Sequence, residues 1–354
     1  MPTPALPARC AIASLVLIAA CEAAPPPAPP IMVTGGTDSV HLPFIEVARG
    51  TWVGADRYAL LSTADDAVVL ADMATGTATR LGAGGSELQH PANVFALGDT
   101  LYVPDWGRQR VSLWTADGRF VRAIPADPAM GGVLPSAIDA GGRFYYELKP
   151  KPGADGSGNR DSAAVARKIP GAGTPDTIAR LSPLDLAQVT GDAGKRFERR
   201  VFSGEDEWGV TPDGSVWVAR VYGNRVEWRS PTGEIVKGEA LRDRVLEVTR
   251  TDREQFINRF PAELRRTAEL LPFAPIKPPF VGGFTAPDGT VWLEKSRHPA
   301  DTTQLYHVVN RDGKLRWALE VGGWGRIVAA GQGVALIAVP DTTGYRLTRA
   351  ALPK

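Results

Sequence analysis

Cysteine is almost absent from this chain. Its 354 residues contain two, Cys10 and Cys21, and the first lies inside an N-terminal apolar stretch that reads as a removable leader. A mature chain beginning at Cys21 has no second thiol with which to close a disulfide, so packing alone must hold the fold. Histidine is nearly as scarce. His41, His90, His298 and His307 are the only four, and no spacing among them suggests paired metal ligands. An excess of either charge is also missing. Without the segment before Cys21, whose only charge is Arg9, 39 basic residues face 39 acidic ones. Nucleic-acid binders carry a basic face, so no nucleic-acid partner is expected. There is no G-x-S-x-G nucleophile elbow. The apolar run at residues 10–20 has eleven residues, too few to span a bilayer.

What is present at the N-terminus is an address. Arg9 is a minimal positive region, residues 10–20 (CAIASLVLIAA) form the apolar core of a secretory signal, and Leu17-Ile18-Ala19-Ala20-Cys21 follows. That ending resembles the lipobox of bacterial lipoproteins, which implies cleavage before Cys21 and acylation of its sulfur and new amino terminus. Acyl chains attach a protein lastingly, at about 0.8 kcal/mol per buried methylene. Residues 22–30 (EAAPPPAPP) read as a semi-rigid, extended spacer. The expectation is a signal peptide over 1–20, a lipidated Cys21 with a tether to residue 30, and a folded domain over 31–354. Its place would be the bacterial envelope, on a periplasmic or extracellular face.

The domain is rich in glycine (38) and proline (30), which suits many short strands joined by turns. One hairpin pattern is written three times, as ALGDTLYVPDWGRQRVSLWTADGRFVRAI from Ala96, TPDGSVWVARVYGNRVEWRSPTGEIVKG from Thr211, and APDGTVWLEKSRHPADTTQLYHVVNRDGKLRWALE from Ala286. Each is a glycine turn, an apolar-aromatic strand, a polar loop and a second alternating strand. Such units cannot bury their own faces and must pack against each other. Six strand clusters are legible, at 58–80, 93–124, 136–180, 208–236, 282–319 and 326–347. The last holds three strands, while residues 31–47 (with VHLPFIEV) supply an unpaired one. That spare strand is expected to complete the last cluster and remove the open sheet edges.

Residues 91–124, a proline followed by an apolar strand, a glycine turn, LYVPD, a polar loop with arginine and DGRFV, resemble an NHL repeat. The match is partial over 208–236 and 284–319. The whole chain looks like the six-bladed propeller lipoproteins of many bacterial genomes. The implied fold is all-β, a six-bladed β-propeller closed by an N-terminal strand, and a monomer is expected.

One stretch departs from the pattern near 251–271. Thr251-Asp-Arg-Glu254 reads as a capping box, and Phe256, Phe260, Leu264 and Ala268 recur every four residues as one apolar helical face. Pro261 would divide it into two helices. The plain reading is an insert that buries this stripe on the propeller.

In propellers the second-to-third strand loops and the blade-to-blade segments open on one face, and the unusual residues fall there. The blade-to-blade segments include 87–93, 205–208 and the helical insert. The candidate ligand-binding residues are Asp105, Trp106, Glu147, Lys149, Trp208, Arg220, Tyr222, Glu294 and Arg297. Aromatic walls beside mixed charge suit a sugar, a peptide or another amphipathic ligand. The plainer reading is that the rings pack between blades and the charges pair locally. DGSVW and DGTVW are one residue short of sialidase Asp-boxes and read as hairpin turns. Residues 152–159 lack the EF-hand pattern and read as a surface loop. Two functions stay open: a binding or interaction module without a catalytic constellation or cofactor, and a lactonase-like, metal-dependent hydrolase or lyase. The second would place a divalent cation in the central channel among Asp105, Glu147 and Glu294.

Overall fold

In a computed structural model, residues 28–82, 88–159, 161–171, 173–191 and 194–353 are described. The leader, Cys21, most of the tether and Glu87 lie outside them. The six clusters become six sheets. Blade 1 is Arg49–Gly54, Arg57–Ser62, Ala67–Asp72 and Thr77–Arg80; blade 2 is Phe95–Leu97, Thr100–Asp105, Arg110–Thr115 and Phe120–Pro125. Blade 3 is Ala137–Ile138, Phe144–Leu148, Ala164–Lys168 and Asp176–Arg180; blade 4 is Glu207–Val210, Val216–Arg220, Arg225–Arg229 and Ile235–Lys237. Blade 5 is Phe280–Thr285, Val291–Lys295, Gln304–Val309 and Leu315–Val321, and blade 6 is Arg326–Gly331, Val334–Asp341 and Gly344–Ala351. Each is an antiparallel meander.

The apolar residues explain why sheets stack into a ring. Middle strands such as Val216–Arg220 are buried on both faces, because each face meets a neighbouring blade. The core accordingly lies in the six seams. Trp114 packs between blades 1 and 2, Tyr145 between blades 3 and 4, Trp217 between blades 4 and 5, and Trp292 between blades 5 and 6. Trp217 is fully buried, and its Nε1 donates to Thr285 Oγ1 at 2.6 Å across the seam. The repeated DG signals close tight hairpins. Gly214 takes φ +85°, and Asp213 Oδ1 accepts the Ser215 N–H and the Thr211 hydroxyl.

The N-terminal segment closes the ring as expected, and also does more. Ser39–Leu42 is the fourth strand of blade 6, antiparallel to Gly344–Ala351, with Ser39 opposite Thr348 and Leu42 opposite Tyr345. At Gly344 (φ +147°) a Cβ would stand 2.2 Å from the Leu42 carbonyl oxygen, so only glycine admits the crossing strand. Arg349 pairs with Asp38 and Asp56 on either side. The short strand Ile31–Val33 runs on to blade 5 instead, parallel to Leu315–Val321, and Val33 enters the seam between blades 5 and 6. One segment thus clips two adjacent blades together.

Two insertions rise from the blade-to-blade connections beside blade 4. The hairpin Leu186–Gly191/Gly194–Arg199 precedes it, unforeseen from the sequence; helices α1 (Arg250–Ile257) and α2 (Ala262–Glu269) follow it. The capping box sits two residues earlier than expected. Thr249 caps α1 through the Asp252 N–H, and Asp252 Oδ2 accepts the Thr249 N–H at 2.9 Å. Glu254 instead pairs with Arg250 on the surface. Pro261 is the residue before α2. Of the proposed stripe, Ala268 is buried, but Leu264 is exposed, because α2 turns that side to solvent. Phe256 and Phe260 join Phe202 and Phe273 in an aromatic cluster that binds helices and hairpin exit together. The 152–159 loop is tied to the hairpin by the Phe197 N–H to the Asp155 carbonyl.

A buried charged network lies in the seam of blades 4 and 5. Lys295 Nζ reaches Asp243 Oδ2 at 2.5 Å, and His307 Nε2 lies 3.5 Å from Asp243 Oδ1. Burial, and then the Lys295 charge, push the imidazole down to about 4 against the pull of Asp243. The unfolded chain takes up this proton near pH 6.5 and the folded one near 4. Stability contributed by neutral His307 is therefore full above about 6.5 and falls as pH drops towards 4, by about 3 kcal/mol. Urea midpoints at pH 7.5, 5.5 and 4 should show this limb, and His307→Gln should remove most of it. Parallel pH profiles for the two proteins would contradict the assignment.

Candidate functional site

Each first strand starts, and each second strand ends, on the face that carries both insertions. The candidate residues all reach this face, but they do not gather. Asp105 is fully buried, and its carboxylate accepts the N–H groups of Gln89 and His90 at 3.0 Å and of Arg108 at 3.3 Å. It ties down the segment leading into blade 2. Asp206 does the same for blade 4, accepting the N–H groups of Ser182 and Val221. Arg220 is held by Asp206 at 2.7 Å and Glu227 at 2.9 Å. Glu147 accepts Trp208 Nε1 at 2.9 Å and lies 3.5 Å from Lys149 Nζ. Trp106 and Tyr222 are exposed on different blades, Tyr222 next to the hairpin. Only Glu294 and Arg297 share a cavity.

That cavity is a cleft of about 910 Å³ between α1 and blades 5 and 6. Its floor is the Glu294–Arg326 pair, two hydrogen bonds of 2.8 and 3.2 Å in the bidentate fork that planar guanidinium favours. Burial presses the Arg326 pKa down, but the hydrogen bonds and charge of Glu294 outweigh it and hold the group above its ordinary value. Phe202, Gly204 and Glu207 form the rear, and Gln255 of α1 and Arg259 just beyond it form one wall. A latch fixes that wall. Lys277 Nζ donates to Asp252 Oδ1 at 2.6 Å and to the Arg297 carbonyl at 2.8 Å, so one buried ammonium joins the helix cap to the opposite loop. Burial alone would raise the Asp252 pKa; Lys277 and the two Thr249 contacts reverse the sign and lower it.

The opposite wall holds Arg297 and Trp324. Trp324 sits in Gly322-Gly323-Trp324-Gly325 with φ +62°, a left-handed conformation that costs a bulky side chain about 1–2 kcal/mol. Trp324 is 46% exposed, so much of its ring is left open beside the cleft, and the Arg297 guanidinium covers one face at 4.9 Å. Arg297 Nη1 is buried with no hydrogen-bond partner among the described residues.

The central channel adjoins this cleft. The six first strands line a space of about 330 Å³, floored by small residues such as Gly50, Gly209 and Ala329. At its mouth Arg49 donates to Asn93 Oδ1 at 3.4 Å, and Asn93 Nδ2 donates to the Ser136 carbonyl at 2.8 Å. Enclosure lowers the Arg49 pKa, Glu207 opposes this, and nearby Arg326 adds to it. Asp105, Glu147 and Glu294 are not brought together here, each being engaged elsewhere. Among the described residues no three His, Cys, Asp or Glu side chains form a metal-holding group. A separate cavity of about 340 Å³ between blades 2 and 3 is mostly apolar, and its Lys168 and Asp127 pair with each other.

No protein family matches the chain, and no curated protein matches it in sequence. Solved structures do. A member of the DUF4221 family from Bacteroides vulgatus matches with a TM-score of 0.52 at 9% identity, over 90% of this chain and 97% of that one. A protein from Bacteroides fragilis matches at 0.48 and 8% identity, over 92% and 95%. The calcium-binding protein regucalcin from Agrobacterium tumefaciens matches at 0.46 and 9%, over 91% and 96%. At such identities the likeness is one of fold, a six-bladed propeller shared with bacterial proteins.

Trp324, Arg259 and Lys277 were missed in the sequence as site residues. A tryptophan set among three glycines in a blade-to-blade segment was the available signal. Glycine flanks relax the backbone enough for an aromatic ring to be turned outward.

Proposed function

We propose that this protein is a bacterial envelope lipoprotein that presents a ligand-binding propeller, with the cleft between α1 and blades 5 and 6 as its site. The observation that carries the reading is the strained, half-exposed Trp324 beside a cavity of about 910 Å³. Strained residues cluster at ligand clamps, and a half-open ring is available to serve one. The cavity size is that of a small-molecule pocket, about 300–1,000 Å³. NHL-like hairpins supply the rigid frame, and the LIAAC ending and proline tether support anchoring through Cys21.

Carbohydrate and peptide arrays probed with residues 31–354, beside the same protein carrying Gln255→Trp to fill the cleft, test the binding role. Hits should fall at least tenfold in the filled variant; hits that persist place the site elsewhere. In the full chain, Cys21→Ala should abolish acyl labelling and release the protein from the membrane fraction. Unchanged fractionation would remove the anchor from this reading.

A further inference from the structure

The charges in the cleft do not balance once their pairings are followed. Every carboxylate on its lining has a cationic neighbour. Glu294 is taken by Arg326, Asp252 by Lys277, and Glu205 lies 3.7 Å from Arg199. Glu207 faces Arg49 electrostatically. On the cationic side, Lys295 is taken by Asp243 below the floor. Arg297 and Arg259 have no carboxylate partner among the described residues, and both line the cleft from opposite walls. Arginine does not lose its charge in a protein. The net field of the cleft is therefore positive, although the chain as a whole is nearly neutral.

The unmet hydrogen-bonding capacity has the same sign. Arg297 Nη1 is a buried donor without an acceptor, and a donor left in that condition costs about 1–3 kcal/mol. An oxyanion beside this guanidinium would neutralise its charge. The Trp324 ring stands next to it, one face covered by the guanidinium and the remainder open. Pro278 and Pro299 continue the apolar surface. A spherical anion would use the arginines and leave the ring idle. A neutral ring would use Trp324 and leave the arginine charges unmet.

We infer that the cleft takes an anionic ligand whose carboxylate or phosphate is carried on a flat or ring-shaped body, the acid seated between Arg297 and Arg259 and the ring lying along Trp324. This rests on the cleft being the binding site.

Calorimetry at low salt with four probes tests it: phenyl phosphate, benzoate, inorganic phosphate and phenyl β-glucoside. At least one ring-bearing acid should bind ten times or more tighter than both inorganic phosphate and the neutral glucoside. Arg297→Gln should erase the preference over the glucoside, while Arg297→Lys keeps part of it. Trp324→Gly, which suits the left-handed backbone and should fold normally, should erase the preference over inorganic phosphate. The inference is overturned if the glucoside equals the acids, if Arg297→Gln leaves acid binding unchanged, or if no probe binds at millimolar concentration. Glucoside binding that is lost in Trp324→Gly would overturn the acid requirement and leave the cleft itself in place. Array hits lost on filling the cleft do so for the broader reading when all four probes fail.

Discussion

Expression of residues 48–354 should give aggregated protein, while residues 31–354 give a soluble monomer. The missing segment contributes Val33, Val40, Leu42, Phe44 and Val47, all buried, to the seams on both sides of blade 6. At about 1.5–3 kcal/mol for each such side chain, their loss is on the order of 10 kcal/mol, comparable to the whole stability of a domain, about 5–15 kcal/mol. The cut also bares the edge of Gly344–Ala351, eight residues of strand with unpaired backbone groups. Size-exclusion chromatography and tryptophan emission read the result. A soluble 48–354 fragment with the emission and melting curve of the longer chain would show that the clip is dispensable.

The second large effect is expected at the latch. Lys277→Met leaves the Asp252 carboxylate, 3% exposed on its side chain, without its cation. Removing one member of a buried pair costs about 3–5 kcal/mol, because the other charge stays behind in a poor solvent for it. Asp252→Asn should cost less, since an amide oxygen still accepts the Thr249 N–H at the helix start. The double variant should be more stable than Lys277→Met alone, the orphaned charge having gone. Urea unfolding gives the magnitudes, and hydrogen exchange over residues 249–278 locates them. If Lys277→Met costs less than 1 kcal/mol with exchange unchanged there, the latch does not hold the insert.

The two candidate capping boxes show where sequence reading stops. Thr249 and Thr251 are each followed three residues later by an acid, Asp252 and Glu254, so both satisfy the local pattern. Lys277 decides between them. It lies 25 positions beyond Asp252 and is brought to its Oδ1 only by packing. The blades were legible for the opposite reason, since alternation and glycine turns are written within each hairpin. The Leu186–Arg199 hairpin escaped because its second strand, GKRFER, is mostly polar and exposed and buries no regular face. How the candidate residues are grouped was illegible through the same distance dependence. Asp105 and Glu294 look alike in the sequence, yet one meets backbone N–H groups of a neighbouring segment and the other meets an arginine from the next blade. Which carboxylate is spent, and which cation is left over, is settled by side chains from other blades.

The clip formed by Ile31–Val33 and Ser39–Leu42 also sets a clock. Ser39 pairs with Thr348, almost the whole propeller away in sequence, so the ring has no way to close until that strand has been made. Contacts that span so much of the chain form slowly. Until the final strand appears, Ser39–Leu42 has nothing to pair with, and five blades wait on a sixth. A chain broken off anywhere before Gly344–Ala351 keeps its two loose ends. Closure of the ring waits on that one strand, which makes a copy lacking it easy to tell from a closed one.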